Sequence, residues 1–155
     1  MREVKSEQDI DAPIGVVWEV LTDFAAYPQW NPFVVRIGGS TEVGQILSVT
    51  IQPPGRRSMV FHPRVLRCEA SSELRWLGRF LLPGIFDGEH AHRLAPLDRG
   101  GTRYVQSEEF RGVLVPFAGR LLTATQHGFE AMNAALKTRA EHLAEGGGAA
   151  AGRRA

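Results

Sequence analysis

Within residues 2–10, charged side chains (Glu3, Lys5, Glu7 and Asp9) alternate with uncharged ones, which is the pattern of a strand with one buried face. Asp11 and Pro13 then predict an N-cap followed by an early helical proline, and apolar residues at helical spacing predict a short helix that ends near Thr22. Two prolines interrupt residues 27–32, which predicts a turn or a single helical turn. The chain therefore begins with one strand and two short helices.

Residues 33–111 have the pattern of strands, and breaks rich in glycine, proline and serine divide them into six segments. Strands at this spacing form an antiparallel meander. After Val115 and Pro116 the pattern changes, because apolar residues recur three, four, seven or eight positions apart as far as Leu143 with no further proline. This spacing predicts one long amphipathic helix over residues 115–143.

A long helix cannot bury its apolar stripe alone, whereas a sheet curved around the helix can cover it. The order of elements therefore predicts an α+β fold, in which a seven-stranded antiparallel sheet wraps around the C-terminal helix. We assign this domain to residues 1–144. Residues 145–155 are rich in Gly and Ala and have little apolar surface to offset the entropy cost of ordering, so we expect a disordered tail.

Size and charge narrow the classes of function. The chain has 155 residues, enough for one domain, with 18 Lys and Arg against 17 Asp and Glu. This balance lacks the basic excess of proteins that bind nucleic acid through counterion release, so we expect no nucleic-acid partner. The longest apolar stretch, residues 79–86, is interrupted by Pro83 and Gly84 and is far shorter than the ~20 residues that cross a bilayer. We expect no membrane insertion.

The N-terminus carries alternating charges and no apolar segment of the kind found in signal peptides. The single cysteine, Cys68, excludes an internal disulfide and fits a reducing compartment. We therefore expect a cytoplasmic protein.

The last two predicted strands carry polar side chains on the face that should point inward. Charged residues dominate one face of residues 86–96, so His90 and His92 fall on the opposite, inward face. The same reasoning applies to residues 102–111. The inward set there is Tyr104, Gln106, Glu108 and Phe110.

These two strands form a hairpin, in which directly opposite residues share a face and have Cβ atoms ~5 Å apart. Two registers are compatible with the inward sets. In the first, His90 lies opposite Glu108, which leaves Gln106 opposite the other histidine. In the second, His92 lies opposite Glu108, and His90 faces Phe110. Both registers place Glu108 beside a histidine, close enough for a hydrogen bond between imidazole and carboxylate.

The remaining strands add apolar side chains to the same interior. An apolar interior with a few convergent polar groups is typical of a binding site for a small molecule, so we expect a hydrophobic small molecule as ligand. The candidate ligand-binding residues are Phe61, Trp76, Phe86, His90, His92, Tyr104, Gln106, Glu108, Phe110, Leu121 and Thr125.

His90, His92 and Glu108 are also candidate catalytic residues. A carboxylate that orients an imidazole can move a proton on a bound ketone or enol near neutral pH. Alternatively, the three residues form a polar set that anchors a ligand oxygen or fills the sheet interior. Two histidines and a glutamate also match the ligand types of a catalytic zinc site, but their spacing has no metal-specific signature. We expect neither a metal nor a cofactor.

Several motifs resemble one superfamily. They are Ile10-Asp-Ala-Pro13, Val17-Trp-Glu-Val-Leu21, Tyr27-Pro-Gln-Trp-Asn-Pro-Phe33, Leu74-Arg-Trp76, Phe86-Asp-Gly-Glu-His90, Glu109-Phe-Arg-Gly-Val-Leu114 and Gly128-Phe-Glu-Ala-Met-Asn133. The set is similar to the SRPBCC superfamily, the START and birch-pollen-allergen-like group, in its branch of small bacterial polyketide cyclase/dehydrase and lipid-transport proteins. The resemblance implies a helix-grip fold with a hydrophobic cavity between sheet and long helix. Different members use that cavity for carriage, sensing or catalysis, and no shared catalytic motif transfers to this chain.

Three functions are compatible with these observations. The first is binding or transport of a lipid-like or polyketide-like molecule, and the second is an enzyme of the aromatase/cyclase type that uses the two histidines or Glu108. The third is a regulator that binds a protein partner, which needs an exposed apolar patch on the outer sheet face. The arginines predicted on that face argue against the third function. The sequence leaves open whether the chain forms a homodimer.

Overall fold

Two antiparallel sheets and one long helix dominate the computed structural model, which describes residues 1–80 and 82–151. The strands of this part are β1 (Arg2–Ile10), β2 (Val34–Gly38), β3 (Ser48–Ile51), β4 (Met59–Phe61), β5 (Arg64–Glu69), β6 (Glu73–Phe80), β7 (Phe86–Pro96) and β8 (Thr102–Arg111). The α-helices are α1 (Ile14–Thr22), α2 (Tyr27–Trp30) and α3 (Gly119–Ala151), with short 3-10 helices at Phe24–Ala26 and Val115–Phe117.

The strands form two sheets, so the prediction of one seven-stranded sheet is wrong. One sheet has five strands in the order β1-β8-β7-β6-β5, and the other has three in the order β2-β3-β4. Pro63 separates β4 from β5 and has no N–H with which to continue a strand ladder. Alternation from Met59 to Val65 runs through this proline, so the sequence pattern does not mark the break between β4 and β5.

Backbone hydrogen bonds connect the two sheets along one edge. The N–H of Leu47 donates to the carbonyl of Pro63 (2.8 Å), and the N–H of Val65 donates to the carbonyl of Gln45 (2.9 Å). The segment before β3 therefore continues the hydrogen bonding from the three-stranded sheet to the start of β5. This connection lets both sheets contribute side chains to one interior.

The predicted helices are present, but they begin and end at other residues than predicted. Two short helices follow β1, and a long helix ends the described chain. That helix begins at Gly119, since Pro116 lies in a separate 3-10 helix, and it continues to Ala151, seven residues into the segment predicted to be disordered. Residues 152–155 lie outside the described residues, and the division into a domain and a tail stays a prediction.

The predicted N-cap of α1 is wrong. The helix begins at Ile14 with Pro13 in the N-cap position and no side-chain cap. Asp11 instead donates its backbone N–H to the Glu141 carboxylate (2.7 Å), which joins the segment before α1 to α3.

The hairpin of β7 and β8 adopts the first of the two predicted registers. His90 lies opposite Glu108, and His92 lies opposite Gln106. Both histidines are buried, with 5% and 0% of their surfaces exposed, as their position in the alternation predicts. The inward face of the five-stranded sheet therefore carries its polar side chains into the interior.

His92 and Tyr104 form a fully buried polar pair in this interior. Their Nδ1 and Oη atoms are joined by a hydrogen bond of 2.5 Å, and their rings are nearly parallel. Burial, together with the charge of the neighbouring His90, holds the pKa of His92 well below its ordinary 6.5. Burial also raises the pKa of Tyr104 well above 10. The pair is therefore neutral near pH 7.

Helix α3 approaches the start of β2 closely at Gly128. A Cβ atom at this position would overlap the ring of Phe33. Phe33 in turn packs edge-on against Phe129 of the helix, with ring centroids 5.7 Å apart. The helix can lie this close to the three-stranded sheet because residue 128 has no side chain.

We expect Gly128→Ala to lower the free energy of unfolding by about 1–3 kcal/mol, because the added methyl group must displace the Phe33 ring. The loss should occur although alanine favours a helix over glycine by about 1 kcal/mol. Urea unfolding followed by circular dichroism measures the difference. Gly146→Ala is the control, since nothing lies within 4 Å of its Cβ position on the same helix. Equal stability of the two variants would contradict the close packing.

We expect His92 to make the fold less stable in mild acid. In the unfolded chain a histidine takes up a proton near pH 6.5, whereas in the folded chain His92 resists protonation. The contribution of His92 to the free energy of unfolding is therefore complete above about pH 6.5. It declines below that pH by at most about 1.4 kcal/mol per pH unit. Urea unfolding at about pH 7.5, 6.5 and 5.5 measures the slope. His92→Phe should reduce it. Carboxyl groups with a lowered pKa, such as Glu141 beside Lys137, titrate below the pH range of this experiment. If the dependence of the free energy of unfolding on pH is the same in the variant, His92 is not its cause.

Candidate functional site

A cavity of about 90 Å³, partly open to solvent, lies between the inner faces of the two sheets and the first turns of α3. It is smaller than the ~150 Å³ of an engineered apolar cavity that holds benzene, so a larger ligand must extend through the mouth or displace side chains. The residues that line it are Phe33, Val34, Val49, Ile51, Met59, Phe61, Pro63, Trp76, Gly78, Arg79, Phe86, Gly88, His90, Glu108, Phe110, Leu121 and Thr125.

Two glycines on neighbouring strands account for the position of the cavity. Gly78 of β6 lies directly opposite Gly88 of β7, and both border the open space. A Cβ at Gly78 would have only ordinary contacts, the nearest at 3.8 Å, whereas a Cβ at Gly88 would overlap the carboxylate of Glu108. The first glycine therefore leaves space open, and the second makes room for an acidic side chain.

Eight of the eleven candidate ligand-binding residues border this cavity: Phe61, Trp76, Phe86, His90, Glu108, Phe110, Leu121 and Thr125. The other three, His92, Tyr104 and Gln106, are fully buried and do not border it. They share the inward face, but core packing fills their part of it, as the contact of Gln106 Nε2 with Met132 Sδ (3.5 Å) shows. Ligand binding by these residues stays a prediction.

Nine residues of the cavity wall are absent from the candidate list, and Phe33 and Arg79 show why. Phe33 is the first residue of the segment predicted to form strands, directly after the turn predicted at residues 27–32, and was not assigned to the inward face. Arg79 has the alternation of an outward residue, and 53% of its side chain is exposed, yet it borders the cavity. No local pattern separates Arg79 from the other outward arginines.

Aromatic rings hold His90 on both sides. Trp76, its partner across β6 and β7, stacks on the imidazole with centroids 4.9 Å apart and planes 23° apart. Phe129 of α3 meets the same ring edge-on, with centroids 5.0 Å apart. The imidazole therefore has a defined orientation between sheet and helix.

His90 also has a polar neighbour at each ring nitrogen. Gln106 Nε2 lies 3.2 Å from His90 Nε2, and Glu108 Oε2 lies 3.5 Å from His90 Nδ1. Because an amide nitrogen only donates, Nε2 of the ring accepts, and the ring proton lies on Nδ1, facing Glu108. At 3.5 Å this pair is in contact without the short distance of a good hydrogen bond.

This arrangement has two chemical capabilities. The aromatic and aliphatic walls can hold an apolar group, while His90 and Glu108 can exchange a proton or a hydrogen bond with a molecule beside them. In residues 1–80 and 82–151, no group of three His, Cys, Asp or Glu side chains is placed to hold a metal ion. No helix of the described chain is long and apolar enough to span a membrane.

The outer face of the five-stranded sheet carries ion pairs centred on Glu73. Its carboxylate lies 2.6 Å from Arg75, 2.9 Å from Arg93 and 3.1 Å from Arg67. Burial acts to raise the pKa of Glu73, but the hydrogen bond from Arg75 and the charges of the three arginines lower it overall. The outer face is therefore charged around this group, as the sequence predicts.

Several exposed apolar side chains lie in the loops that follow β6 and β8. The two loops are hydrogen-bonded, for example from the N–H of Val113 to the carbonyl of Gly84 (3.1 Å). Their exposed apolar residues are Leu82, Val113, Leu114 and Phe117. Because Phe86 and Phe110, which adjoin these loops, border the cavity, the loops lie near its mouth.

Comparisons with known proteins agree with this architecture. A family model described as polyketide cyclase/dehydrase and lipid transport matches residues 1–141. A search of the curated proteins found no match to the sequence.

Solved structures share the fold at low sequence identity. A START superfamily protein from Mycobacterium smegmatis has a TM-score of 0.72 and 20% identity, over 91% of this chain and 98% of that one. An aromatase/cyclase from a Streptomyces species has a TM-score of 0.73 and 18% identity, over 90% and 93% of the two chains. A structural-genomics protein from Mesorhizobium loti has a TM-score of 0.72 and 19% identity, over 91% and 98%.

These structural likenesses show the fold, and the family match extends over nearly the whole chain. The predicted SRPBCC resemblance is confirmed. The chain belongs to the polyketide cyclase/dehydrase and lipid transport family of the SRPBCC superfamily.

Proposed function

We propose that this protein binds a hydrophobic small molecule in the cavity between its sheets and α3. The observation that carries the proposal is the void over Gly78, which is surrounded by the aromatic side chains of Phe61, Trp76, Phe86 and Phe110. An apolar group that fills this space would remove the surrounding apolar surface from water, at about 25 cal/mol for each Å².

The comparisons support a lipid-like or polyketide-like class of ligand. The family description names both lipid transport and polyketide cyclases, and one protein of the same fold is an aromatase/cyclase. The cavity is short relative to such molecules, so the ligand would pass between the apolar loops near the mouth. Native mass spectrometry of the purified protein tests for a co-purified molecule directly.

We expect substitutions that fill the space over Gly78 to weaken binding without unfolding the chain. N-Phenyl-1-naphthylamine, an uncharged fluorescent probe, should bind wild type saturably. Gly78→Ala and Gly78→Val should raise its Kd progressively, by about fivefold or more for valine, since each added methyl occupies cavity space. Their free energy of unfolding should stay equal or rise, because valine favours a strand over glycine.

Gly38→Val is the matched control for this series. Like Gly78, Gly38 lies in a strand and has room for a side chain, since nothing lies within 4 Å of its Cβ position. Unlike Gly78, it does not border the cavity. It should leave the Kd of the probe unchanged. Undiminished binding in Gly78→Val would place the ligand elsewhere.

A second candidate function is proton transfer on a bound carbonyl compound. The observation in its favour is that His90 and Glu108 are in contact and both border the cavity. Since the Nε2 atom of His90 is occupied by Gln106, the carboxylate is the group that would reach a ligand proton. His90 would then orient the carboxylate and stabilise its charge through Nδ1–H.

If the protein is a cyclase, His90→Ala and Glu108→Ala should each lower turnover of a poly-β-ketone by about 100-fold or more while probe binding remains. Product formation by liquid chromatography and probe fluorescence measure the two properties separately. Glu109→Gln is the control, because Glu109 is the next residue of β8 and pairs with Arg111 on the outer face. Turnover that persists in Glu108→Ala would rule out this catalytic role.

A further inference from the structure

One carboxylate borders the cavity, and most of the remaining wall is aromatic, aliphatic or weakly polar. Within the described residues that line the cavity, Glu108 is the only acid, and 19% of its side chain is exposed. The carboxylate lies over the backbone of Gly88, in the space that a side chain there would occupy. Its position is therefore supported by the neighbouring strand, unlike that of a freely moving surface glutamate.

Within residues 1–80 and 82–151, most of the hydrogen-bonding capacity of this carboxylate is unused. A carboxylate offers about four acceptor positions. In the described part of the chain, the ion pairs of Glu108 comprise one contact, with His90 Nδ1 at 3.5 Å. The neighbouring cation at the cavity wall, Arg79, faces Asp87 instead, at 4.0 Å. The remaining acceptor positions are thus left to solvent or to a ligand.

We propose that the cavity selects ring compounds that carry a hydrogen-bond donor, a hydroxyl or an ammonium group, and rejects those that carry a carboxylate. This inference deepens the proposed function and rests on it. A donor can bind Glu108 while its ring packs against Trp76 and Phe110, which border the same space. A ligand carboxylate would offer no proton and would place a second negative charge beside the first in a site largely shielded from water.

The expected discrimination is large enough to measure. A hydrogen bond to a charged acceptor changes affinity by about tenfold or more, and repulsion between two close carboxylates acts in the same direction. A donor-bearing ring should therefore bind more tightly than the bare ring, and an acidic ring more weakly.

Four two-ring compounds test the proposal by equilibrium dialysis near pH 7: naphthalene, 2-naphthol, 2-naphthylmethylamine and 2-naphthoate. The naphthol, the amine or both should bind wild type at least about tenfold more tightly than the naphthoate, with naphthalene between them. A preference for the naphthol assigns the natural donor to a hydroxyl, and a preference for the amine assigns it to an ammonium group. Equal affinity for naphthoate and for both donors would overturn the proposal.

Glu108→Gln assigns the preference to its cause, because glutamine keeps the shape and removes the charge. Binding of naphthoate should strengthen, and the ratio between donor and acid should fall below about threefold. Glu109→Gln, which removes a charge from the outer face one residue away, should keep the wild-type ratio. An unchanged ratio in Glu108→Gln would sink the proposal.

The proposed function and this inference fail in different ways. If none of the four compounds binds wild type, the ligand-binding cavity is wrong and the selectivity fails with it. If naphthalene binds but the donors and the acid bind equally well, only the selectivity is wrong.

Discussion

The pairing of β6, β7 and β8 is the constraint on which the site depends. Its register places Gly78 opposite Gly88 and His90 opposite Glu108. Since side chains alternate with a period of two, a slip of one residue would move every inward side chain to the outer face. β1 pairs with the other edge of β8, in a register that also includes Glu108. Neighbouring strands on both sides therefore hold β8 in register. The void, the acid beside it and the histidine that meets the acid all follow from this pairing.

The inward face of the sheet is divided between core and cavity. At one end, His92 Nδ1 and the Tyr104 hydroxyl are joined by a hydrogen bond and Gln106 contacts Met132 of α3, so these polar side chains are buried away from the cavity. At the other end, the facing glycines leave space that the aromatic rings around it do not fill. Burial of an imidazole and a phenol is tolerable only because both remain neutral, which their shifted pKa values ensure.

The same groups bear on both candidate functions. A carrier needs apolar walls and a polar group that orients the ligand, whereas a cyclase also needs a proton to move at that group. Glu108 meets the first need by position, since it lies on the cavity wall with free acceptor positions. The two functions therefore differ in the chemistry of the bound molecule, while the geometry of the protein is common to both.

Alternation along single strands was enough to predict which side chains point inward, and helical spacing was enough to predict the long helix, because both patterns depend on residues close together in the sequence. His90, His92, Tyr104 and Gln106 are buried as that alternation predicts. Three features depended on tertiary contacts. The pairing of the strands in two sheets, the choice between two allowed registers and the extent of the void were all decided by distant segments that meet in the fold, such as Gly128 of α3 against Phe33. A local pattern determines the direction of a side chain, but the space left beside it depends on everything that packs against it.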